Sequence, residues 1–342
     1  MPGGTVFGPC PISELWVRVE IVIKGTIKGF LQVSLTVTKT AQMASSFHID
    51  PSFTGYGKGG VRLLKIKRSG KYHEIKQIEV ATELKLNNYQ DYLVGDNASV
   101  IPTDTQKNTV YALAKVHPLN NIEEFALHIC NHFLTTHKQV DHVSVEIDET
   151  PWKRIQQKGV DHAHAFVLNP EVTRFCSATQ ARGEDPKLSG GLKDMQILKT
   201  TQSGFTGFCR TSSPFCQNLK IVPSVLKCIA DISLKPQEVW TTISVGETKN
   251  FAKDTILEKF AGPPDTGVYS PSVQNTLYKA EEKILNSIPQ IGNVEMMMPN
   301  IHYFTVNMAP FGMANKDEIL MATDKPAGLI KAALSRKPKA KL

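Results

Sequence analysis

"IKQIEVATEL", residues 75 to 84, alternates between the two faces of an extended chain, with one face formed by Ile78, Val80, Thr82 and Leu84. A period of two is typical of a half-buried antiparallel strand. The preceding run "VRLLKIKR", residues 61 to 68, is also rich in aliphatic residues, and "SGKYHE" between the two runs contains Gly70. The two runs predict a β-hairpin.

Two helices are predicted after the hairpin. In "IPTDTQKNTVYALAK", residues 101 to 115, Thr103 or Asp104 can serve as the N-cap, and apolar residues follow at helical spacing. In "NIEEFALHICNHFLTT", residues 121 to 136, Asn121 and Glu124 have the spacing of a capping box. That segment carries one apolar stripe, formed by Ile122, Phe125, Ala126, Ile129 and Phe133.

The pattern continues with two strand-like stretches, residues 141–155 and 162–178, and then repeats. The second copy has strands at "MQILKTTQ" and "EVWTTISV", helices at "KNFAKDTILEKFAG" and "SPSVQNTLYKAEEKILNSI", and strands at "NVEMMMPNIHYFTVNM" and "EILMATD". Each copy has the order strand, strand, helix, helix, strand, strand. The sequence therefore predicts an α+β fold of two similar halves, each a sheet with paired helices on one face.

Composition narrows the functional classes. The 342 residues include 39 Lys and Arg against 32 Asp and Glu, a net charge of +7 that is spread along the chain and reinforced in "RKPKAKL". An excess of basic residues that is spread along the chain, without aromatic residues between them, favours small anionic ligands over nucleic acid. Six cysteines without a CxxC pair indicate reduced thiols in an intracellular compartment. The sequence contains no run of 18 apolar residues, so it predicts no membrane-spanning helix.

Histidine pairs raise a metal hypothesis. His128 and His132 are four residues apart on a helix, and His162 and His164 lie on one side of a strand. Both spacings suit zinc, but no third ligand follows at motif spacing, so we expect structural or surface roles and no metal. "TGYGKGG", residues 54 to 60, precedes a strand and is not a dinucleotide fingerprint. Its Lys58 is either a base turned inward or a solvated loop lysine.

Taken together, these segments resemble the urate oxidase (uricase) family. The resemblance rests on "TGYGK", "DNASVIPTDTQKNTVYALAK", "EEFALHICNHFL", "PWKRI", "HAHAF", "LKTTQSGFTGF", "LEKFAG", "YSPSVQNTLY" and "MPNIHYF", in this order. It implies a tandem T-fold and a homotetramer whose sheets close into a β-barrel tunnel, with active sites between subunits. It also implies oxidation of urate by O2 and water to 5-hydroxyisourate and H2O2, with no metal and no organic cofactor.

The resemblance also assigns the site residues. Lys58 in "GYGK" and Thr103 in "PTD" would form a proton relay, which His302 in "NIHYF" completes from a neighbouring subunit. The remaining roles concern urate and O2: Phe205 stacks on the purine, Gln274 and the Val273 backbone bind its polar edge, Asn300 holds O2 or water, and Asp104 offers a backbone N–H. Without the resemblance, Phe205 would be assigned to the core, Asn300 to a turn and Gln274 to a helix surface.

Residues 209–247 depart from the family pattern. Counted from Phe205, the position of the family's urate-binding arginine is occupied by Val222. A shifted alignment places Lys227 at that position instead. A family tryptophan is replaced by Lys249. Because lysine lacks the planar fork of arginine, we expect weaker urate binding. The alternative hypothesis is an impaired uricase-like T-fold protein that binds purines or only assembles.

The domain prediction follows the resemblance. We expect a non-family extension over residues 1–42, disordered or spurious, then T-fold domains at 43–185 and 186–335 and a basic tail at 336–342. The tail ends in Ala340, Lys341 and Leu342, similar to the Ser-Lys-Leu signal of the peroxisomal import receptor, which predicts a peroxisomal protein. A zinc-dependent T-fold enzyme acting on pterins, with ligands from the four histidines, is a further alternative.

Overall fold

The computed structural model describes residues 51–205, 224–234 and 245–336. The predicted hairpin is confirmed: β1 (Tyr56–Ser69) and β2 (Tyr72–Leu86) pair in antiparallel register, with Leu63 opposite Ile78. Gly70 has a φ of 61° in the connecting turn. Glycine adopts this left-handed conformation without the steric penalty that a Cβ would bring, so the chain reverses tightly here.

The other elements follow the order that the sequence predicts, with additions. After the hairpin, the first half contains α1 (Gln90–Leu93), α2 (Thr103–Val116), α3 (Ile122–Thr136), β3 (Val140–Glu149), β4 (Trp152–Gln157), β5 (Val160–Leu168) and β6 (Thr173–Ala181). The second half contains β7 (Lys187–Lys199), β8 (Ser224–Leu234), α4 (Val245–Ala261), α5 (Val273–Ser287), β9 (Ile291–Thr305) and β10 (Leu320–Ser335). No described helix is long and apolar enough to cross a membrane.

Eight of the strands form one antiparallel sheet in the order β1-β2-β3-β6-β7-β8-β9-β10. Over the described ranges, β1 and β10 are therefore the two outer strands, each with one neighbouring strand. The strands β4 and β5 pair with each other in a separate two-stranded sheet. The observed α+β fold agrees with the prediction, and the β4–β5 hairpin is an insertion between β3 and β6.

Three strand predictions need correction. The predicted strand 141–155 breaks at Pro151, which lacks the N–H of a ladder donor, and the strand predicted at 162–178 breaks between Leu168 and Thr173. The second strand of the second half is residues 224–234, whereas the sequence placed it at 238–245. Val245 already begins α4, and residues 238–244 lie outside the described ranges.

Two buried clusters lie against the helix-covered side of the sheet. The first joins α2 and α3 to β1, β2, β3 and β6, and includes Phe125 and Phe133 with no exposed surface. The second joins α4 and α5 to β7 and β9, and includes Ile256 and Leu277. Burying one such side chain contributes about 1.5–3 kcal/mol, so each half has its own core. A domain boundary at 185/186 stays a prediction.

Helix starts differ from the predicted caps. The N-cap position of α2 is Pro102, and Thr103 is already the first helical residue, so neither Thr103 nor Asp104 caps. Asn121 is the N-cap residue of α3, but its side chain makes no cap hydrogen bond. In contrast, Ser272 caps α5 by accepting the Asn275 N–H at 3.1 Å. The first-turn N–H groups of α2 are therefore left for other partners.

Candidate active site

Lys58 and Asp104 meet where the start of α2 lies over the hairpin. The Lys58 Nζ atom is 3.1 Å from Asp104 Oδ1, and Lys107 Nζ is 3.1 Å from the same oxygen. The ammonium groups of Lys107 and Lys58 hold the pKa of the Asp104 carboxyl below its usual value. The Lys58 side chain is 34% exposed, so it is neither buried in the core nor fully solvated. Thr103 is the helical residue just before Asp104.

Local packing fixes this corner. Lys58 is opposite Thr82 in the ladder, and the Thr82 hydroxyl donates to Gln106 Oε1 of α2 at 2.9 Å. The Ile101 N–H donates to the Tyr56 hydroxyl at 2.8 Å, and burial raises the pKa of that tyrosine. A Cβ on Gly57 would lie 1.8 Å from the Thr82 carbonyl oxygen, so only glycine allows this close approach of the strands.

A groove adjoins the Lys58 corner on the strands. Its volume is about 290 Å³, and its lining includes Lys58, Thr82, Glu83, Ser144 and Glu146. The groove thus combines one cation with acceptor and hydroxyl groups. Such a mixed polar surface can hydrogen-bond a small polar molecule and exchange protons with it.

Phe205 lies in a second cluster, just beyond β7. Phe205 is 46% exposed, which contradicts its assignment to the core. Val273 and Gln274 are the first two residues of α5. The segment before Phe205 pairs with the segment before α5: the Ser270 N–H donates to Gln202 O at 2.9 Å, and the Gly204 N–H donates to Ser270 O at 2.8 Å.

Asn300 and His302 form a third group, on β9. They continue the face on which Val294, Met296 and Met298 are buried, because residues two apart share one side of a strand. Asn300 does not form a turn, since it is paired with Gly328 of β10 and Leu226 of β8. Its Oδ1 atom is buried without a hydrogen-bond partner among the described residues. An unsatisfied buried acceptor is a group that a bound ligand or water can satisfy.

A single chain does not bring Lys58 and His302 together. Lys58 lies on β1 and His302 on β9, and six strand spacings of about 4.8 Å separate these strands by roughly 29 Å along the sheet. The backbone of Lys227 lies on β8 opposite Gln196, and its side chain is not among the described parts of the structure. Val222 and the terminal Ala340, Lys341 and Leu342 lie outside the described ranges.

The histidine pairs make local contacts. His128 stacks on His117 with ring centroids 4.2 Å apart, and its Nε2 is 3.7 Å from the Glu124 carboxylate. His162 and His164 form an edge contact at 4.7 Å. Over the described ranges, no three His, Cys, Asp or Glu residues are grouped to hold a metal ion.

Sequence reasoning missed Lys199, the last residue of β7. Its ammonium group donates to Phe260 O at 3.2 Å, to Val268 O at 3.0 Å and to Ser270 Oγ at 3.0 Å. Burial lowers the pKa of Lys199. The acceptors lie 61 to 71 residues away along the chain, so no local pattern could indicate them.

Comparison with known proteins identifies the family. The uricase family profile matches residues 54–179 and 188–331. The uricase of Danio rerio is 45% identical over 291 residues, covering 84% of this chain and 96% of that protein. The chain belongs to the uricase family. The uricase of Oryctolagus cuniculus is 44% identical over the same length, and covers 84% of this chain.

Solved structures agree with this membership in the uricase family. The crystal structure of uricase from Arthrobacter globiformis superposes with a TM-score of 0.76 at 29% identity, covering 86% of this chain and 98% of that one. The second family match, 188–331, runs through the divergent stretch 209–247. Nothing in these comparisons favours the impaired alternative for this uricase-family chain.

Proposed function

We propose that this chain is a urate oxidase. Urate gives two electrons and two protons to O2, which leaves as H2O2, and water adds a hydroxyl to the oxidised purine to form 5-hydroxyisourate. Membership in the uricase family, at 45% identity to a named uricase over most of the chain, is the observation that carries this proposal. The positions of the Lys58 corner, of the cluster that contains Phe205 and of the group on β9 support the roles described below.

Lys58 and Thr103 form the proton relay. Removing a further proton from the urate anion raises its reducing power, which permits stepwise electron transfer to O2 without a cofactor. The Lys58 ammonium is tethered to Asp104, the residue after Thr103, so the lysine and the threonine hydroxyl stand at the same helix start. In its neutral amine form, Lys58 accepts the proton that Thr103 shuttles from urate and becomes the ammonium that pairs with Asp104. Such positioned proton transfer contributes about 10²–10⁴-fold in rate.

Phe205, Gln274 and Asp104 hold the purine. The exposed Phe205 ring stacks on it, and the Gln274 amide with the Val273 backbone pairs with its polar edge. The free N–H groups in the first turn of α2, including that of Asp104, attract the anion. Lys227 supplies the positive charge in place of the family arginine, as a point charge without a bidentate fork.

Asn300 and His302 complete the site from a neighbouring subunit. The roughly 29 Å between β1 and β9 within one chain supports a shared site. Among the described strands, β1 and β10 each leave one edge unpaired, and an edge left open favours pairing with another copy. A homotetramer with a tunnel-forming β-barrel would cover both edges. Asn300 Oδ1, buried without a partner in the described part, would then face O2 or water.

The proposal includes compartment and cofactor. The reactants are urate, O2 and water, and membership in the uricase family supports a reaction without a metal or an organic cofactor. The terminal Ala340, Lys341 and Leu342 would be read by the peroxisomal import receptor, which places the H2O2 product in a peroxisome.

A direct test incubates the purified chain with urate under air and a metal chelator. We expect one H2O2 and one consumed O2 for each urate lost, at a rate that the chelator does not change. Inhibition by the chelator would contradict cofactor-free chemistry. A folded tetramer without turnover would instead support the impaired alternative, with residues 209–247 as the cause.

A further inference from the structure

The segment that carries Phe205 and the first turn of α5 are joined by one polar network. A parallel bridge pairs Ser203 with Ser270, and the Gln202 side-chain amide donates to Thr266 O at 2.7 Å. The hydroxyls of Ser270 and Thr276 are 2.7 Å apart. Ser270 is 7% and Thr276 4% exposed, so this hydroxyl pair is shielded from water, whereas the Gln202 contact is exposed.

Lys199 lies at the centre of this network. Its three ammonium protons match three acceptors, which come from the last turn of α4, the loop that follows and Ser270. All three acceptors are neutral oxygens, and the ammonium is 5.2 Å from the Phe260 ring centroid. Lys199 is partly buried, and an ammonium with all three protons bound restrains its acceptors, because each lost bond would leave a polar group unsatisfied.

The backbone allows little freedom around this centre. Gln202 adopts a φ of 58°, a left-handed conformation that is uncommon for a residue with a Cβ. A Cβ on Gly204 would lie 2.0 Å from the Tyr269 hydroxyl, so any other residue there would displace the Tyr269 side chain. The chain turns sharply from Lys199 to Phe205 and is held there by contacts to residues 266–270.

We propose that Lys199 is a positioning residue for urate: through Ser270 and Thr276 it fixes the stacking ring of Phe205 relative to Gln274. This inference rests on the proposed function, because Phe205 and Gln274 are the urate-binding groups in it. Lys199 itself does not touch urate. Its effect belongs to substrate binding, since a ring and an amide that hold one planar molecule must keep a fixed separation.

The test compares Lys199→Met, Lys199→Arg and Ser270→Ala with the wild type. Lys193→Met is the matched control, because Lys193 lies on the same strand and pairs with Asp148 at 2.6 Å, away from this network. We expect Lys199→Met to raise KM for urate by about tenfold or more. Ser270→Ala keeps two Lys199 acceptors and raises KM less, Lys199→Arg restores part of the loss, and the control leaves KM unchanged.

KM is the deciding readout because loss of folded enzyme lowers the apparent kcat without changing KM. Amide exchange at residues 200–205 and 270–277, measured on the same proteins, should become faster in Lys199→Met. A lower melting temperature with unchanged KM would overturn the inference and make Lys199 merely structural. If Lys199→Met does not fold, Ser270→Ala decides by the same criterion.

The two proposals fail in different ways. A wild type that neither oxidises urate under air nor binds it anaerobically overturns the proposed function, and this inference with it. An active wild type whose Lys199→Met and Ser270→Ala variants retain KM overturns this inference alone.

Discussion

Glu281 is a carboxylic acid in the core of the second half. It has no exposed surface, one oxygen accepts the Met296 N–H at 2.9 Å, and Oε2 has no partner among the described residues. Burial raises its pKa to about 7, and the nearby Glu295 acts in the same direction. Ionisation of this group is therefore opposed by the folded structure and not by the unfolded chain.

The pH dependence follows from that difference. Because the folded pKa is above the ordinary value of 4.5, the contribution of Glu281 to stability is fully present below pH 4.5 and is lost as the pH rises through 7. We expect Glu281→Gln to remove this dependence, with its stability relative to wild type rising between pH 5 and pH 8 by at most about 3 kcal/mol. Thermal unfolding at both pH values measures it, with the exposed neighbour in Glu282→Gln as control. A parallel pH profile for wild type and Glu281→Gln would refute the prediction.

Residue patterns predicted only part of the candidate site. Lys58, Phe205 and Asn300 were identified through family segments, and the structure places them on β1, just after β7 and on β9. Lys199 and Glu281 were missed, because their importance comes from burial and from partners distant in sequence. The expected Thr103 cap was wrong because Pro102 occupies the N-cap position, and proline presets the backbone there without a side-chain acceptor.

Arg174 joins elements of the first half through charge. Its guanidinium is 2.6 Å from Glu123 of α3 and 3.2 Å from Glu149 of β3, while Arg174 itself lies on β6. Glu123 is 1% exposed, and Lys76 of β2 is 3.1 Å from Glu149. A buried carboxylate depends on such a cation, because its hydration is lost on folding.

We expect Arg174→Met to destabilise the fold by about 3 kcal/mol or more, since it leaves the buried Glu123 without the guanidinium. Chemical denaturation measures the loss. The control is Arg62→Met. Arg62 pairs with Glu79, but its side chain is 76% exposed, so this substitution should change the free energy of unfolding by less than about 1 kcal/mol. A second substitution, Glu123→Gln, should recover part of the loss. Equal effects of Arg174→Met and Arg62→Met would refute the prediction.

Most elements were predictable because periodicity is local. The hairpin and both long helices of the first half follow directly from spacing of two or of three and four residues. The β4–β5 insertion was missed although Pro151 and Pro170 mark both of its ends. Strand β8 was missed because the divergent stretch 209–247 offered no family segment, and its pairing with β7 and β9 is a long-range property.

At the scale of the whole molecule, the proposed shared site makes a distinctive prediction. Lys58→Met and His302→Ala should each inactivate the enzyme alone. If the two residues act together across a subunit boundary, hybrid tetramers from coexpression, purified through two different tags, should recover about a quarter of wild-type activity by random assembly. The readout is urate oxidation per tetramer, with tetramers of either variant alone as the control. Absence of recovery in verified hybrids would place the site within one chain.

Sheet order has an implication for ancestry. Strand β6 pairs with β7 in register, so the ladder between them joins the two cores, while residues 182–186 provide the short covalent link. If two shorter ancestral polypeptides had met edge to edge, gene fusion would have needed only this link to make their contact permanent. The protein would then carry a former subunit boundary between β6 and β7, in the middle of its sheet. The outer strands β1 and β10 would still form contacts between separate subunits.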